Sequence, residues 1–200
     1  NPYLGYGRSK MLMETVANEM YKQGKLETVI IRPPWFYGID QPPRQTLFFS
    51  MIRDGNVPLV GGGHNRRSMA YVDNICHGLF LAASKDNAIG QTYWIADERP
   101  YSMLEVIDTI ERLLEEEFGQ KCAHKRLRLP GLTSDIAYWA DFLLQSLGMY
   151  HQKIHVLSEF NKTIACSIKK AQKELGYRPK IALEEGMRRS LQWCLDKGYL

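Results

Sequence analysis

Short apolar runs alternate with helical patterns along this chain, and the alternation restricts the fold that it can adopt. Residues 7–21 repeat apolar side chains every four positions, which predicts a helix. Residues 27–32, which read E-T-V-I-I-R, form a β-branched run typical of a buried parallel strand. Pro33 and Pro34 end that run, because proline has no backbone N–H to donate to a sheet.

The same alternation continues toward the C terminus. Further strands are expected at 57–60, 68–72, 91–96, 125–129 and 163–166. Further helices are expected at 45–53, 73–83, from 102, at 133–147, before 161, at 167–176 and at 183–197. The stretch 35–44, rich in Pro, Gly and Asp, is predicted to be a loop. Strands that alternate with helices indicate an α/β fold with a mainly parallel sheet.

Helix starts and core faces can also be assigned. The expected capping residues are Asp73, Ser102, Thr133 and Ser167. In the first helix the expected core face is Leu12, Val16 and Met20. In helix 133–147 the expected core face is Ile136, Ala140, Leu143 and Leu147. That choice leaves Tyr138, Trp139, Phe142 and Leu144 as additional apolar surface.

Composition and charge exclude several classes of function. A net charge of +4 is too small to predict nucleic-acid binding by itself. The four cysteines show no C-x-x-C spacing, so no zinc ribbon or redox motif is predicted, and scattered thiols suit a reducing, cytoplasmic compartment. His151 and His155 have helical spacing, but no third ligand is evident and no metal site is predicted. No apolar run approaches the roughly 18 residues that a membrane-spanning helix needs.

Tyr6 and Lys10 form a Y-x-x-x-K motif at the start of the first helix. Four residues apart, the two side chains share one helix face. A nearby ammonium favours the phenolate, so such a tyrosine can exchange a proton with an alcohol or a carbonyl near neutral pH. Tyr21 and Lys25 have the same spacing, but there the motif straddles Gly24, which is expected to end the helix.

Other motifs place the Y-x-x-x-K pair in a recognisable order. The following motifs occur downstream: R-P-x-x-x-Y-G at 32–38, P-x-x-G-x-G at 58–63, Y-V-D-N at 71–74, K-A-x-x-x-L-G-Y-x-P at 170–179, E-G at 185–186, and Trp193. In this order the motifs resemble the extended short-chain dehydrogenases/reductases, the NAD-dependent epimerase/dehydratase group. Tyr71 stands where that family commonly has His.

The resemblance implies specific roles. Tyr6 would be the general acid/base, and Lys10 would hold the nicotinamide ribose and lower the pKa of Tyr6. Pro33, Pro34, Trp35 and Phe36 would line the nicotinamide of a bound NAD or NADP. Tyr37 and Arg67 would contact the substrate, with Arg67 on the diphosphate of a nucleotide sugar. A guanidinium fork suits a diphosphate.

The resemblance also predicts the organisation of the chain. Residues 1–97 would be the C-terminal portion of a Rossmann-type doubly wound parallel sheet, with a substrate-lobe excursion at about 38–70, and residues 98–200 would form a small α/β substrate-binding lobe. The chain has no G-x-x-G-x-x-G turn, and Tyr6 leaves no room upstream for the family's Ser/Thr partner. We therefore expect N-terminal βα units of on the order of 100 residues to be absent, and the isolated chain to be inactive.

Three functions remain open at this stage. The first is hydride transfer at a secondary alcohol or ketone of a nucleotide sugar. The second is a 3β-hydroxysteroid or other lipid-alcohol dehydrogenase, in which the apolar helix 133–147 would line a lipid pocket or rest on a membrane. The third is a non-catalytic binding protein of the same fold. The expected partners are a small-molecule substrate and, in the full-length protein, a second copy bound through the first helix, whose outer face would carry Met11, Met13, Glu14 and Tyr21.

Overall fold

The computed structural model describes residues 5–149 and 151–200, with all of their side chains except those of Gly5, Tyr6, Arg44, Gln152, Lys153 and Val156. The helices are α1 (Gly5–Lys22), α2 (Pro43–Arg53), α3 (Val72–Ala83), α4 (Met103–Glu116), α5 (Leu132–Ser146), α6 (Gln152–Glu159), α7 (Lys169–Leu175) and α8 (Leu183–Asp196). The strands are β1 (Ile30–Arg32), β2 (Trp35–Tyr37), β3 (Pro58–Val60), β4 (Arg66–Arg67), β5 (Met69–Tyr71), β6 (Thr92–Trp94), β7 (Tyr101–Ser102) and β8 (Leu127–Leu129).

The described strands pair two by two. β1 pairs with β6, β2 with β5 and β3 with β8, all in parallel, whereas β4 and β7 are antiparallel. Parallel strands separated by helices confirm the predicted α/β fold. The expected strand at 163–166 is reduced to a single bridge between Ile164 and Arg67.

Two apolar clusters form the core. The larger one packs α4 and α8 against α2, β2 and β5, with Ile107, Ile110 and Leu191 completely buried. The smaller one packs α3 and α7 on β6 around Tyr93 and Tyr177. The Tyr177 hydroxyl donates a hydrogen bond to the Ala96 carbonyl at 2.9 Å. The C-terminal helices therefore pack directly on the strands of the first half of the chain.

The predicted helix caps are partly wrong. Ser102 caps α4, because its hydroxyl accepts the Glu105 N–H at 3.0 Å. Asp73 lies inside the first turn of α3 and makes no capping bond; it lies 3.5 Å from Arg189 instead. Thr133 is not the N-cap residue, since α5 begins one residue earlier. Ile168 occupies the N-cap position of α7, although the Ser167 hydroxyl accepts the N–H of Lys169, the first residue of that helix, at 3.4 Å.

The predicted core faces of α1 and α5 are also largely wrong. Leu12 and Val16 are exposed, because Glu14 turns toward β1 instead. In α5 the large residues expected in the core are exposed too, and the helix buries Asp141 with two small side chains, Ser134 and Ala137. In each case a polar contact sets which face turns inward.

Candidate active site

An ion pair attaches the Y-x-x-x-K helix to the end of β1. The Arg32 guanidinium donates through Nε to Glu14 Oε1 at 2.8 Å and contacts Glu14 Oε2 through Nη2. These bonds lower the pKa of Glu14 below its ordinary value and raise the pKa of Arg32. Thr28 adds a hydrogen bond to the Ala17 carbonyl at 3.5 Å. The outer dimer face predicted for α1 is therefore wrong at Glu14, which faces β1.

Glu14 fixes the direction in which the motif residues lie. Lys10 and Tyr6 precede Glu14 by four and eight residues in α1, so the three positions lie along one side of the helix. Because Glu14 contacts Arg32, that side faces the carboxyl end of β1, where Pro33 follows. The Lys10 side chain is exposed, and the Tyr6 side chain lies outside the described part of the structure.

The residues expected at the nicotinamide lie where β1 passes into β2. Pro33 is exposed, Pro34 is half-buried and the Phe36 ring is 44% exposed. Trp35 packs edge-on against Phe48 with ring centroids 5.5 Å apart. Part of this apolar surface is thus open to a ligand and part is supported from behind by α2. Residues 35–37 form a strand and not the predicted loop, because they pair in register with β5.

Tyr37 is enclosed by packing. Its side chain is 3% exposed, and its hydroxyl donates to Asp97 Oδ2 at 2.9 Å. Burial and the neighbouring Asp97 carboxylate raise its pKa well above the ordinary value. Gly186 of α8 comes so close that an added Cβ would lie 2.7 Å from the Tyr37 ring. These contacts favour a structural role, and the substrate contact suggested by the sequence stays a prediction.

Asp97 organises the polar interior beneath the site. Its Oδ1 accepts the Tyr71 N–H at 3.0 Å and the Asn74 side-chain amide at 2.7 Å. Burial raises the pKa of Asp97, and these hydrogen bonds oppose that rise. Asn74 also donates to the Ile181 carbonyl at 2.7 Å. The sequence interpretation missed Asp97, although an acid directly after the strand predicted at 91–96 was an available signal.

Arg67 lies toward the N-terminal end of β2, which is the end opposite Tyr37. Met69 pairs with Trp35, and Arg67 precedes Met69 by two residues, or about 7 Å of extended chain. The Arg67 guanidinium donates through Nη2 to the Glu159 carbonyl at 2.5 Å, and burial lowers its pKa. The guanidinium of Arg67 is thus held at the C-terminal end of α6, and its contact with the substrate stays a prediction.

The arrangement can be compared with known proteins. Residues 1–96 match the family model described as the NAD dependent epimerase/dehydratase family. This part of the chain belongs to the NAD-dependent epimerase/dehydratase family. The resemblance inferred from the motifs is thereby confirmed. The matched range includes Tyr6 and Lys10, and also Glu14 and Arg32, which join α1 to β1.

Two relatives come from Sinorhizobium fredii (strain NBRC 101917 / NGR234). The protein y4nL is 53% identical over 199 residues, which are 99% of this chain and 56% of the relative. The protein y4nG is 26% identical over 194 residues, which are 96% of this chain and 46% of the relative. The chain therefore spans about half the length of these curated relatives.

Solved structures of the family type share the fold. The structure of gox2253 superposes with a TM-score of 0.73 at 20% identity, covering 98% of this chain and 58% of that one. UDP-glucuronic acid 4-epimerase from Bacillus cereus, in complex with NAD, gives a TM-score of 0.70 at 21% identity, covering 98% of this chain and 53% of that one. This likeness confirms the predicted fold class, a portion of a Rossmann-type α/β protein.

Among the described residues, no helix is both long and apolar enough to cross a membrane. His155, considered as a metal ligand, lies with Nδ1 2.9 Å from Asp141 Oδ2, and no metal-binding group of three or more His, Cys, Asp or Glu side chains occurs in the described ranges.

Proposed function

We propose that this chain is the substrate-side part of an NAD(P)-dependent oxidoreductase or epimerase that acts on a secondary alcohol or ketone of a nucleotide sugar. The observation that carries the proposal is the Glu14–Arg32 pair, which turns the Tyr6 and Lys10 side of α1 toward Pro33. Family membership of residues 1–96 supports the same chemistry. The cofactor is NAD or NADP.

The residues present suit the nicotinamide end of that cofactor. Pro33 and Phe36 offer exposed apolar surface beside the strand end that Arg32 joins to α1, and Lys10 is an exposed cation on that helix. When bound, the cofactor supplies or accepts a hydride. Tyr6 gives or takes the hydroxyl proton of the substrate through its phenol oxygen, and Lys10 holds the ribose and favours the phenolate.

Arg67 supports a nucleotide sugar as the substrate class. Its bond to the Glu159 carbonyl uses one of the five N–H donors of a guanidinium, and the fork geometry matches two phosphate oxygens. UDP-glucuronic acid 4-epimerase from Bacillus cereus and UDP-glucose 4-epimerase from Thermotoga maritima, both similar in fold to this chain, carry such substrates in their names.

A second candidate is a lipid-alcohol or 3β-hydroxysteroid dehydrogenase. The observation that favours it is the exposed apolar side of α5, on which Ile136 and Trp139 are more than 60% exposed. We place it second because the guanidinium fork of Arg67 suits the diphosphate of a nucleotide sugar, a group that a lipid alcohol lacks.

The test uses the full-length protein with UDP-glucose and UDP-glucuronic acid, followed by cofactor absorbance and product analysis. Tyr6→Phe removes the proton carrier and little volume, so turnover should fall by roughly 10² or more while cofactor affinity stays nearly unchanged. Tyr21→Phe is the matched control and should be silent. A fully active Tyr6→Phe protein would assign the proton transfer to another group, and a wild-type protein that turns over only a sterol or long-chain alcohol would replace the sugar by a lipid.

A further inference from the structure

A small cavity is lined by residues of β2 and α2, next to the segment expected at the nicotinamide. Trp35 and Tyr37 of β2 line it, and Phe48 and Phe49 of α2 complete the aromatic part of its wall. The cavity volume is about 10 Å³, which is the room that one water-sized group needs. An occupant of this cavity is therefore no larger than a water molecule or a hydroxyl group.

Two buried glutamines at this cavity have carbonyl oxygens without partners. Gln41 and Gln45 both line the cavity and are 7% and 8% exposed. In the described part of the chain, neither Gln41 Oε1 nor Gln45 Oε1 accepts a hydrogen bond. Tyr37, which also lines the cavity, donates through its hydroxyl to Asp97 Oδ2 instead. Burial without a donor is costly for an amide oxygen, because its hydrogen bonds to water are lost. The two oxygens therefore favour an occupant that donates hydrogen bonds.

The nitrogen ends of both amides are already engaged. Gln45 Nε2 donates to the Phe36 carbonyl at 2.7 Å. Turning this amide around would set two carbonyl oxygens against each other, so its orientation is fixed. Gln41 Nε2 donates to Thr46 Oγ1 and to Cys194 Sγ, each at 3.4 Å. Because the nitrogens have protein partners, the oxygens are the ends of the two amides that remain for an occupant of the cavity.

We propose that the cavity binds one O–H donor at the carbonyl oxygens of Gln41 and Gln45. A water molecule has two O–H donors, one for each oxygen, and a hydroxyl group of a bound sugar has one. Apolar walls strengthen such a bond, because hydrogen bonds are stronger where the local dielectric is low. The site itself does not require the proposed function. Only a sugar hydroxyl as its occupant rests on that function.

An occupant of this site joins the loop that follows β2 to the start of α2. Gln41 lies in that loop, and Gln45 is the third residue of α2. The Gln45 amide also connects the occupant to the backbone of Phe36, whose ring is 44% exposed beside the expected nicotinamide. The O–H donor therefore stands two hydrogen bonds away from the main chain of the segment that we expect to contact the cofactor.

The test is a crystal structure of the full-length protein at a resolution that shows ordered waters, without ligand and with UDP-glucose. We expect an oxygen atom within about 3.2 Å of Gln41 Oε1 and Gln45 Oε1. A water that stays in both crystals is a resident occupant, and a sugar hydroxyl that replaces it identifies the substrate as the donor. Glutamine oxygens that are unpartnered, or paired with a protein donor, in both crystals would overturn the proposal. If UDP-glucose does not bind, the proposed function fails and the ligand-free crystal still decides the site.

Denaturant unfolding of paired variants tests the same site in solution. Gln41→Met and Gln45→Met keep the length of the side chain and remove its oxygen. A shared occupant is lost with the first substitution, so Gln45→Met should lower the folding equilibrium constant at least roughly threefold less in the Gln41→Met protein than in wild type. Gln23→Met is the matched control, because Gln23 is exposed and should combine additively with Gln45→Met. Additive effects of Gln41→Met and Gln45→Met would contradict the proposal, and the crystals of the wild type decide it even if a variant does not fold.

Discussion

Glu14 of α1 and Arg32 of β1 form a two-point ion pair that joins the helix carrying Tyr6 and Lys10 to the strand that ends at Pro33. The pair lies one helix turn beyond Lys10, so it sets the rotation of the helix about its axis. A general acid/base must approach its substrate within hydrogen-bond distance, and rotation of its helix would move it away. The ion pair is therefore a positioning device for the proposed chemistry.

Glu14→Gln should lower both stability and turnover in the full-length protein. Arg32 is 40% exposed on its side chain, so we expect a stability loss of about 1 kcal/mol or less. The pKa of Glu14 is lowered in the folded protein, so its contribution is present above the ordinary Glu pKa and is lost as the pH falls through the lowered value. Melting temperatures of variant and wild type should differ at neutral pH and converge in acid.

Glu19→Gln is the control for this prediction, because Glu19 is exposed on the same helix. It should leave stability and turnover unchanged. The exchanged pair Glu14→Arg, Arg32→Glu should recover part of the lost turnover, and a Glu14→Gln protein with normal turnover would show that the pair does not position the helix.

Asp97→Ala should be among the most destabilising substitutions in the chain. It would leave the buried Tyr37 hydroxyl, the Tyr71 N–H and the Asn74 amide without their acceptor, at a cost of about 2–5 kcal/mol. Asp97→Asn keeps one acceptor oxygen and should cost less. Denaturant unfolding of the two variants measures the difference, with the exposed neighbour Glu98→Gln as a silent control.

The Asp97 carboxyl also makes the stability of the protein depend on pH, in a direction that follows from its raised pKa. Burial raises the pKa of Asp97, so the folded protein takes up a proton more readily than the unfolded chain. Wild type should therefore gain stability relative to Asp97→Asn as the pH falls from neutral through the raised pKa, with the full gain below the ordinary Asp pKa. A stability difference that is independent of pH would show that Asp97 titrates like a free carboxyl.

Arg67→Ala tests the substrate class. If Arg67 contacts the diphosphate, UDP-sugar affinity should fall at least tenfold, corresponding to a charge-assisted contact of roughly 1.5–3 kcal/mol. Arg66→Ala is the matched control, since Arg66 is exposed in the same short strand. Titration calorimetry with UDP-glucose on the full-length proteins gives both values, and equal affinities of Arg67→Ala and wild type would remove Arg67 from the site.

Dimerisation through α1 is the remaining prediction. Met13 is 57% exposed and Met11 is 41% exposed on the outer side of the helix. Met13→Asp should convert a full-length homodimer into a monomer by light scattering at micromolar concentration, because a buried carboxylate is costly in an apolar interface. Leu79→Asp, at an exposed position of α3, is the control and should remain dimeric. A monomeric wild type would refute the prediction.

The sequence predicted the long helices well, but it predicted the short strands poorly. Helix α8 was expected at 183–197 and is Leu183–Asp196, because a strong apolar period and Gly198 leave little freedom. β2 was missed, since two prolines and a nearby stretch rich in Gly, Asp and Pro resemble a loop. Trp35, Phe36 and Tyr37 nevertheless have the aromatic character of strand residues, and their pairing with β5 is a tertiary contact that no local pattern contains.

The faces of helices were harder to predict than their ends. Apolar periodicity selected Ile136 and Leu143 as buried, yet the buried carboxylate of Asp141 and its contact with His155 turn that side of α5 outward. Periodicity measures where apolar residues stand, and it carries no information on a hydrogen bond to a helix that follows later. The same limitation hid the Asp97 network, which joins residues distant in sequence.

The family match ends at residue 96, but hydrogen bonds join the matched residues to the rest of the chain. Ala96 accepts the Tyr177 hydroxyl, and Asn74 is bonded to the backbone of Ile181. Each of these contacts joins a side chain to a backbone group, so a chimera that takes residues 1–96 from a relative should keep both contacts if that relative has an amide at the position of Asn74. At these two contacts, a recombinant cut at residue 96 should then depend on the side chain of Asn74, and only on the backbone of Ala96.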